Sequence, residues 1–357
     1  MEKRHVKSLL TLGFTSGLVL AACGNGGGSD TAGSDAASGD KAAKDFSVVM
    51  VTDVGGVDDG SFNESAWNGM KEWGKEHNLE QNKNFAYIQS NEDSQFVPNL
   101  NQAVNNNFDL IYGIGFKLKP AMEDVAKANT DQHFVIIDEV IELDNVASVL
   151  FKDHEAAYLA GVAAAETTET DHVGFIGGQE SDVIDRFEAG FLAGVKAVNP
   201  DIKVDVEYAG SFGDAAKGRQ LAAAMYTNGA DIIYHASGDT GNGVFSEARD
   251  RMNANPDDKI WVIGVDLDQQ AEGEYDGGNL TLTSTLKGVG EAVQDLSNEA
   301  MEGTFPGGKT TNFGLAEDAV GLTDGNLSDD AKAKVQEYKQ KIIDGEIEVP
   351  THPDEVK

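Results

Sequence analysis

Several polar and aromatic residues stand directly after runs that are typical of β-strands, and these residues are the candidates for chemistry. Asp138 ends the run FVIID, and Asp266 follows the run WVIGV. Because parallel strands deliver their carboxyl ends to one edge of a sheet, such side chains are expected to meet in a cleft. The positions are Asp53, Gly115 with Phe116, Asp138, Phe212, Ser237-Gly238-Asp239, Asp266 and Lys287.

These residue types suit a polar and mostly uncharged ligand, because carboxylates accept pairs of hydrogen bonds from hydroxyl or ring N–H groups. Phe62 and Phe212 are expected to sandwich a planar ring, and stacking of this kind contributes about 1–3 kcal/mol per base. Lys287 is expected to donate to a sugar hydroxyl beside Asp266, where a charge-assisted hydrogen bond contributes about 1.5–3 kcal/mol. A heterocycle joined to a sugar, which is a nucleoside, would use all of these groups.

The segment from Asp53 to Glu64 begins with aspartate and ends with glutamate, like a calcium-binding loop. An EF-hand loop needs oxygen ligands at its first, third and fifth positions and glycine at its sixth. Here Gly55 and Val57 occupy the third and fifth positions, and Asp58 occupies the sixth. The sequence therefore argues against a metal ion at this loop.

The same segment has the pattern of a strand, a loop and the start of a helix. Ser61-Phe62-Asn63-Glu64 predicts a capping box, in which the Ser61 hydroxyl accepts from the Glu64 backbone N–H and the Glu64 carboxylate reaches back. Phe62 beside this cap is either a residue packed into the core or a platform for a ligand. The helix that follows is predicted to bury one face, formed by Trp67, Met70 and Trp73 with Gly74.

The first 22 residues have the pattern of a bacterial signal peptide, with a basic start, KRHVK, before the short apolar run LLTLGFTSGLVLAA. The sequence LAACG at its end resembles a lipobox, which implies cleavage before Cys23 and attachment of lipid to its thiol. Cys23 is the only cysteine, so it has no disulfide or zinc partner within the chain. Residues 23–45, rich in Gly, Ser, Ala and Asp, are predicted to be a flexible linker.

The charge balance argues against several classes of partner. The 357 residues include 61 acidic and 27 basic ones, which gives a formal net charge of −34. So acidic a surface repels nucleic acid and anionic lipid heads, and it argues mildly against a phosphorylated ligand. After the signal peptide, no run reaches the ~18 apolar residues of a membrane-spanning helix.

The sequence patterns of enzymes are missing or misplaced. The segment from Gly303 to Thr310 matches the phosphate-binding pattern GxxxxGK[ST], but it follows a predicted helix instead of a strand and contains Pro306. The sequence has no HExxH or GxSxG, and its seven histidines are scattered. We therefore predict a protein that is not an enzyme and that uses no metal and no cofactor.

Strand-like runs alternate with helical runs from Phe46 onward, in two similar units. This alternation predicts an α/β fold of two doubly wound lobes with the ligand in the cleft between them. The predicted strands are residues 46–52, 84–89, 110–114, 133–138 and 147–150 in the first unit, and 172–176, 203–208, 231–235 and 260–265 in the second. The predicted domains are a signal peptide (1–22), a linker (23–45), an N-terminal lobe (46–151 plus about 287–320), a C-terminal lobe (152–286), and a C-terminal helix and tail (321–357) whose lobe is not assigned.

The chain resembles the basic membrane protein family of bacterial lipoproteins, of the purine nucleoside receptor type, which are substrate-binding components of ABC transporters. The resemblance runs from about Phe46 to the C-terminal helix at 331–343. It implies a type I periplasmic-binding-protein fold, whose two lobes are joined by a multi-strand hinge and close on one ligand. The motifs that carry it include VTDVGGVDDGSFNESAWNG, EAAYLAGVAAA, RFEAGFLAGVKAVNP, GSFGDAAKG, IIYHASGDTGNGVF, VIGVDLDQ and LTSTLKGV.

The resemblance also implies partners and a set of ligand-binding residues. The partners are a nucleoside, the permease and ATPase subunits of an ABC importer, and the cell membrane through the lipid on Cys23, with the chain itself a monomer on the outer face. The implied residues are Phe62 and Phe212 stacking on the base, Asp53 and Asp138 at its polar edge, Gly238, Asp266 and Lys287 at the ribose, and Ser61, Asn63 and Phe116 as further lining residues.

Two other functions stay open at the level of the sequence. One is the binding of another small molecule, such as a sugar or a signalling compound, because a fold does not fix its ligand and pyranose rings also stack on aromatic side chains. The other is a surface adhesin or interaction protein, which would be marked by an exposed apolar patch outside the cleft.

Overall fold

The computed structural model describes residues 45–356, so the predicted signal peptide, Cys23 and residues 24–44 of the predicted linker lie outside the described residues. The strands are β1 (Val48–Val51), β2 (Phe85–Ile88), β3 (Leu110–Ile114), β4 (His133–Ile137), β5 (Val146–Phe151), β6 (His172–Gly177), β7 (Lys203–Tyr208), β8 (Ile232–Ala236), β9 (Trp261–Gly264), β10 (Glu274–Tyr275), β11 (Gly278–Asn279), β12 (Thr281–Lys287), β13 (Thr310–Phe313) and β14 (Val320–Leu322). The α-helices are α1 (Phe62–Glu76), α2 (Phe96–Asn105), α3 (Lys119–Ala128), α4 (Asp153–Thr167), α5 (Asp182–Val198), α6 (Ala215–Thr227), α7 (Thr240–Ala254), α8 (Val289–Met301) and α9 (Asp329–Ile343).

The first sheet has six strands in the order β13-β5-β4-β3-β1-β2, and every neighbouring pair is parallel. Strand β1 has the sequence VVMV, and all of its residues are buried. Such a continuous apolar run is typical of a central strand that is covered by helices on both faces. The sheet therefore presents the carboxyl ends of β1, β3 and β4 side by side.

The second sheet also has six strands, in the order β14-β12-β9-β8-β6-β7. All of its pairs are parallel except β12 with β14, which is antiparallel. Strands β10 and β11 form a separate small hairpin. The α/β fold with two lobes built on largely parallel sheets, which the sequence predicted, is confirmed.

The chain passes between the two sheets three times. It leaves the first sheet after β5, returns after β12 to form β13, and passes again to the second sheet as β14. The first two passages contain α4 and α8. Strands β13 and β14 were not predicted from the sequence. The segments that precede each of them cross between the lobes, in addition to the crossing that follows β5.

Helix α1 buries the face that the sequence predicted. Trp73 and Met70 are fully buried and Trp67 is nearly so, and Gly74 is buried with them. On the same helix, a Cβ at Gly69 would lie 2.2 Å from the Gly290 carbonyl oxygen of α8. Helices α1 and α8 therefore pack closely enough to fix the start of α1 relative to the end of β12.

Helices α4 and α5 approach each other through glycine. A Cβ at Gly194 would lie 2.0 Å from the carbonyl oxygen of Tyr158, and a Cβ at Gly190 would lie 2.2 Å from that of His154. Since these neighbours are backbone atoms, no side-chain rearrangement could make room for the larger residue. These glycines of α5 thus allow that helix, whose first turns face the cleft, to pack directly against α4.

Candidate ligand-binding cleft

The loops at the carboxyl ends of both sheets enclose one cavity. All seven residues predicted to bind the ligand line it, and so do two of the weaker candidates, Asn63 and Phe116. The third, Ser61, is not among the lining residues but contacts one of them. Ligand binding by these residues remains a prediction. The lining residues are Asp53, Gly55, Asp59, Phe62, Asn63, Gly115, Phe116, Asp138, Val183, Ile184, Phe187, Phe212, Ala236, Ser237, Gly238, Val265, Asp266 and Lys287.

Lys287, the last residue of β12, joins the second sheet to the first. Its Nζ donates to Asp138 Oδ2 at 2.6 Å and lies 3.1 Å from Asp153 Oδ1, at the start of α4. The three side chains are only 3%, 4% and 1% exposed, so this is a buried ion-pair group. Arg186 of α5 adds a second cation, because its Nη2 lies 3.2 Å from Asp153 Oδ2.

The ammonium group of Lys287 also lies over aromatic rings. Its Nζ is 5.1 Å from the ring centre of Phe62, 5.2 Å from that of Phe151 and 5.7 Å from that of Phe187. Cations are attracted to the faces of such rings within about 6 Å. Burial alone would lower the pKa of Lys287, but the carboxylates of Asp138 and Asp153 raise it overall, so the lysine stays charged.

Asp266 links the lobes through a hydroxyl group. Ser61 Oγ, before α1, donates to Asp266 Oδ2 at 2.6 Å. Burial raises the pKa of Asp266 to about 7, although Lys287 and the Ser61 hydroxyl oppose the shift. Asp266 and Asp138 both have positive φ, 66° and 68°, which is an uncommon backbone conformation for residues other than glycine. Both cleft carboxylates are thus held in strained turns directly after their strands.

The predicted capping box at Ser61 is wrong. The Ser61 side chain makes no cap hydrogen bond, because its hydroxyl is turned toward Asp266. Asp59 caps the helix instead, since its carboxylate accepts from the backbone N–H groups of Ser61, Asn63 and Glu64 at 2.9–3.0 Å. The Glu64 carboxylate does reach back, but to the N–H of Gly60.

Burial raises the pKa of the loop carboxyl groups, whereas these hydrogen bonds lower it. Burial raises the pKa of Asp59 to about 6, and the donors from Asn63, Glu64 and Ser61 limit the rise. Burial likewise raises the pKa of Asp53, whose carboxylate accepts from the Gly55 N–H and from the Asn63 amide. The pKa of Asp138 is raised by burial and is opposed by Lys287.

The aromatic residues of the cavity come from both lobes. The rings of Phe116 and Phe212 contact each other edge to face, with centres 6.1 Å apart and planes at 76°. Phe62 lies beside Lys287, so a sandwich of one ligand ring between Phe62 and Phe212 stays a prediction. Gly238 has a φ of 56°, and a Cβ there would lie 3.2 Å from the Phe212 carbonyl oxygen. Glycine at this position therefore allows the Phe212 loop to approach.

The two lobes also contact each other through backbone carbonyl groups of the loop between β1 and α1. Gln269 Nε2 of the second lobe donates to the Gly60 carbonyl oxygen at 3.0 Å, and Asn242 Nδ2 donates to that of Asp59 at 3.2 Å. Gln269 is only 2% exposed, and its Oε1 accepts from the Val265 backbone N–H. The loop between β1 and α1 is therefore held against the second lobe.

Sequence reasoning missed several residues of the cleft. Phe187, Val183 and Ile184 line the cavity from α5, although their spacing along a helix could have marked them as one apolar face. Asp153 and Arg186 reach the buried ion-pair group from α4 and α5, and no local sequence pattern shows that they meet Lys287 at the end of β12. Asp59 could be recognised from the sequence only as one of several residues in the loop whose types commonly cap helices.

Neither a metal centre nor a membrane span is found in the part of the chain that the structure describes. Among residues 45–356, no group of three or more His, Cys, Asp or Glu side chains is arranged to hold a metal ion. Within the same residues, every helix is too short or too polar to cross a bilayer.

Two lobes that enclose a cleft at the carboxyl ends of their strands are typical of proteins that bind a small ligand between the lobes. A crystal structure of an ABC transporter solute-binding protein from Aeropyrum pernix is similar, with 28% identity and a TM-score of 0.77 over 87% of this chain and 94% of that one. The chain belongs to the Bmp family, because a family model described as ABC transporter substrate-binding protein PnrA-like matches residues 46–352.

Two relatives are similar to this chain over almost their whole length. The CD4+ T-cell-stimulating antigen of Listeria monocytogenes is 50% identical over 99% of this chain and 100% of that protein. The ABC transporter nucleoside-binding protein BmpA of Lactococcus lactis is 46% identical over 98% of this chain and 99% of that protein. The predicted family and the periplasmic-binding-protein type of fold are confirmed.

The family fixes the broad role of the molecule. It is the extracytoplasmic substrate-binding component of an ABC transporter, it captures a small-molecule ligand, and its partners are a permease and an ATPase. It is a binding protein and not an enzyme, as the sequence predicted.

Proposed function

We propose that the protein captures nucleosides, and purine nucleosides in particular, and delivers them to an ABC importer. The observation that carries the proposal is the combination, in one cavity, of Phe62, Phe116 and Phe212 with buried acceptor oxygens. Aromatic faces bind a flat heterocycle, while the carboxylates of Asp138 and Asp266 suit the hydroxyl and N–H donors of a nucleoside.

The charges of the cleft support a neutral ligand. Asp53, Asp59, Asp138 and Asp266 line the cavity with a single lysine, Lys287, whose charge is already matched by two carboxylates. A phosphate group would add negative charge to this site without an unpaired cation to receive it. The relative from Lactococcus lactis that is named a nucleoside-binding protein, at 46% identity, supports the same ligand class.

Calorimetric titration of the protein lacking residues 1–23 tests this proposal. The protein is first unfolded and refolded to remove retained ligand, and is then titrated with adenosine, guanosine, inosine, cytidine, uridine, adenine, ribose and AMP. We expect tight binding of purine nucleosides and weak binding of ribose and AMP. If no nucleoside gives a binding signal, or if a free sugar binds more tightly, the ligand is another small molecule.

Replacing Asp266 with alanine is expected to weaken nucleoside binding by about tenfold or more, because one lost charge-assisted hydrogen bond costs about 1.5–3 kcal/mol. The matched control is Asp268→Ala, which changes an exposed aspartate in the same loop. Unchanged affinity in the Asp266 variant, with both variants folded, would remove Asp266 from the ligand contacts.

We propose further that the protein is a monomer held at the outer face of the cell membrane by lipid on Cys23. The LAACG sequence and the linker that follows support the anchor. A Cys23→Ala variant is expected to leave the membrane fraction and to keep the nucleoside affinity of the parent protein. Retention of the variant in washed membranes would contradict the anchor.

A further inference from the structure

The side chain of Asn63, the second residue of α1, is fixed by two carboxylates. Its Nδ2 donates to Asp53 Oδ1 at 2.8 Å and to Asp59 Oδ2 at 2.9 Å. An amide nitrogen carries two hydrogen atoms, so both donors of Asn63 are used. Because a carboxylate oxygen accepts and does not donate, the reverse orientation of the amide would face two acceptors with an oxygen.

The remaining atom of this amide has no protein partner among residues 45–356. Asn63 is only 1% exposed and lines the cavity, and its Oδ1 is buried without a hydrogen bond. A buried acceptor without a partner is costly and calls for an explanation. A ligand atom that donates a hydrogen bond would satisfy Asn63 Oδ1.

Asp59 is what makes this orientation rigid. Besides the Asn63 amide, its carboxylate accepts from three backbone N–H groups at the start of α1, so it is itself held in place as an acceptor. Gly55 leaves the necessary space, because a Cβ there would lie 2.8 Å from Asn63 Nδ2 and 3.0 Å from Asp59 Oδ2. The cluster is thus built from the loop and the first turn of α1 together.

We propose that Asp59 is a positioning residue, which turns Asn63 into an acceptor-only group and so selects nucleosides whose base carries an N–H donor. Asp59 itself acts through Asn63. The inference rests on the proposed function and adds to it a property of the ligand. Adenosine, inosine and guanosine each carry at least one N–H on the base, whereas purine riboside carries none, although its ring and sugar are the same.

The test compares these four nucleosides by calorimetry on the wild-type protein and on Asp59→Asn. The substitution replaces one of the two carboxylates that fix the Asn63 amide by a group that can also donate, so that Asp53 alone holds the amide in its orientation. We expect the wild-type protein to prefer the best N–H-bearing nucleoside over purine riboside by at least about tenfold, and the variant to lose at least about tenfold of that preference. The matched control is Asp214→Asn, because Asp214 caps α6 by accepting from the Lys217 N–H and is not among the cavity lining residues.

A second measurement needs no ligand and keeps the inference separate from the proposed function. In protein labelled with nitrogen-15 at asparagine, the side-chain NH2 signals of Asn63 are identified by their loss in Asn63→Ala. We expect these protons to exchange slowly with water in the wild-type protein and at least about tenfold faster in Asp59→Asn. If no nucleoside binds, the proposed function fails, and slow exchange still supports the fixed amide.

Three results would overturn the positioning role. These are equal binding of purine riboside and the best nucleoside by the wild-type protein, full retention of the preference in Asp59→Asn, and fast exchange of the Asn63 amide in the wild-type protein. An equal loss of preference in Asp214→Asn would show a general effect of removing a helix cap and would count against the proposal.

Discussion

Replacing Lys287 with methionine is expected to lower the free energy of unfolding by about 3–5 kcal/mol, because breaking a buried ion pair leaves its partner charge uncompensated. Methionine keeps most of the length of the side chain but has no charge to place over the rings of Phe62, Phe151 and Phe187. The loss is therefore electrostatic. Asp138 would lose its only cation at hydrogen-bond distance in the described chain, whereas Asp153 would keep Arg186.

Denaturant unfolding of three variants distinguishes this explanation from a packing defect. Adding Asp138→Asn to Lys287→Met is expected to recover a large part of the lost stability, since the unpaired carboxylate is removed. Lys259→Met is the control, because Lys259 pairs with Glu169 on the surface and both side chains are about two-thirds exposed (65% and 67%). If Lys287→Met is as stable as the control, the buried ion pair does not contribute to the free energy of unfolding.

The second large effect is a dependence of stability on pH through Asp266. Burial raises the pKa of this carboxyl group from its ordinary value of 3.8 to about 7 in the folded protein. Between about pH 4 and pH 7 the folded chain therefore holds a proton that the unfolded chain has released. The contribution of Asp266 to stability is present below that range and is lost as the pH rises through it.

The variant Asp266→Asn lacks this titration. Its free energy of unfolding, relative to that of the wild-type protein, should therefore rise by about 2–3 kcal/mol between pH 5 and pH 8, at about 1.4 kcal/mol per pH unit. The difference between the two proteins is the quantity to measure by denaturant unfolding at each pH. His235 acts in the opposite direction, because burial lowers its pKa to about 4 and its contribution is lost as the pH falls, but it is common to both proteins.

Asp59→Asn provides an internal comparison for this measurement. The pKa of Asp59 is raised only to about 6. The rise in the free energy of unfolding of Asp59→Asn relative to the wild-type protein should therefore end near pH 6 and be smaller than that of Asp266→Asn. A stability difference for Asp266→Asn that is the same at pH 5 and pH 8 would show that this carboxyl group titrates alike in the folded and unfolded chains.

The sequence was sufficient for strands β1 to β9 and for the residues at their carboxyl ends. Strands such as β3 and β8 are short, mostly apolar runs, and the positions after them meet wherever the strands are parallel and adjacent. This is why Asp53, Asp138 and Asp266 could be expected in one cleft before their contacts were known. The geometry of the sheet, and not any single residue, carries that prediction.

The sequence was not sufficient where several residues compete for one role. Asp58, Asp59 and Ser61 all have side chains that cap helices, and only the path of the loop places the Asp59 carboxylate over the first turn of α1. Strand β13 has the sequence TTNF, which is mostly exposed and has no apolar run. It is a strand because β5 offers it a free edge, and such long-range pairing leaves little trace in the local sequence.

That edge has a consequence for how the molecule is made. The first lobe is not a continuous piece of chain, because β13 completes its sheet beside β5 and α8 packs against α1. Both pieces follow β12, so the whole second sheet except β14 is synthesised before them. A growing chain can therefore form most of the second lobe while the first still lacks its outer strand and one covering helix. The first lobe is thus begun first but is completed only after most of the second lobe has been made.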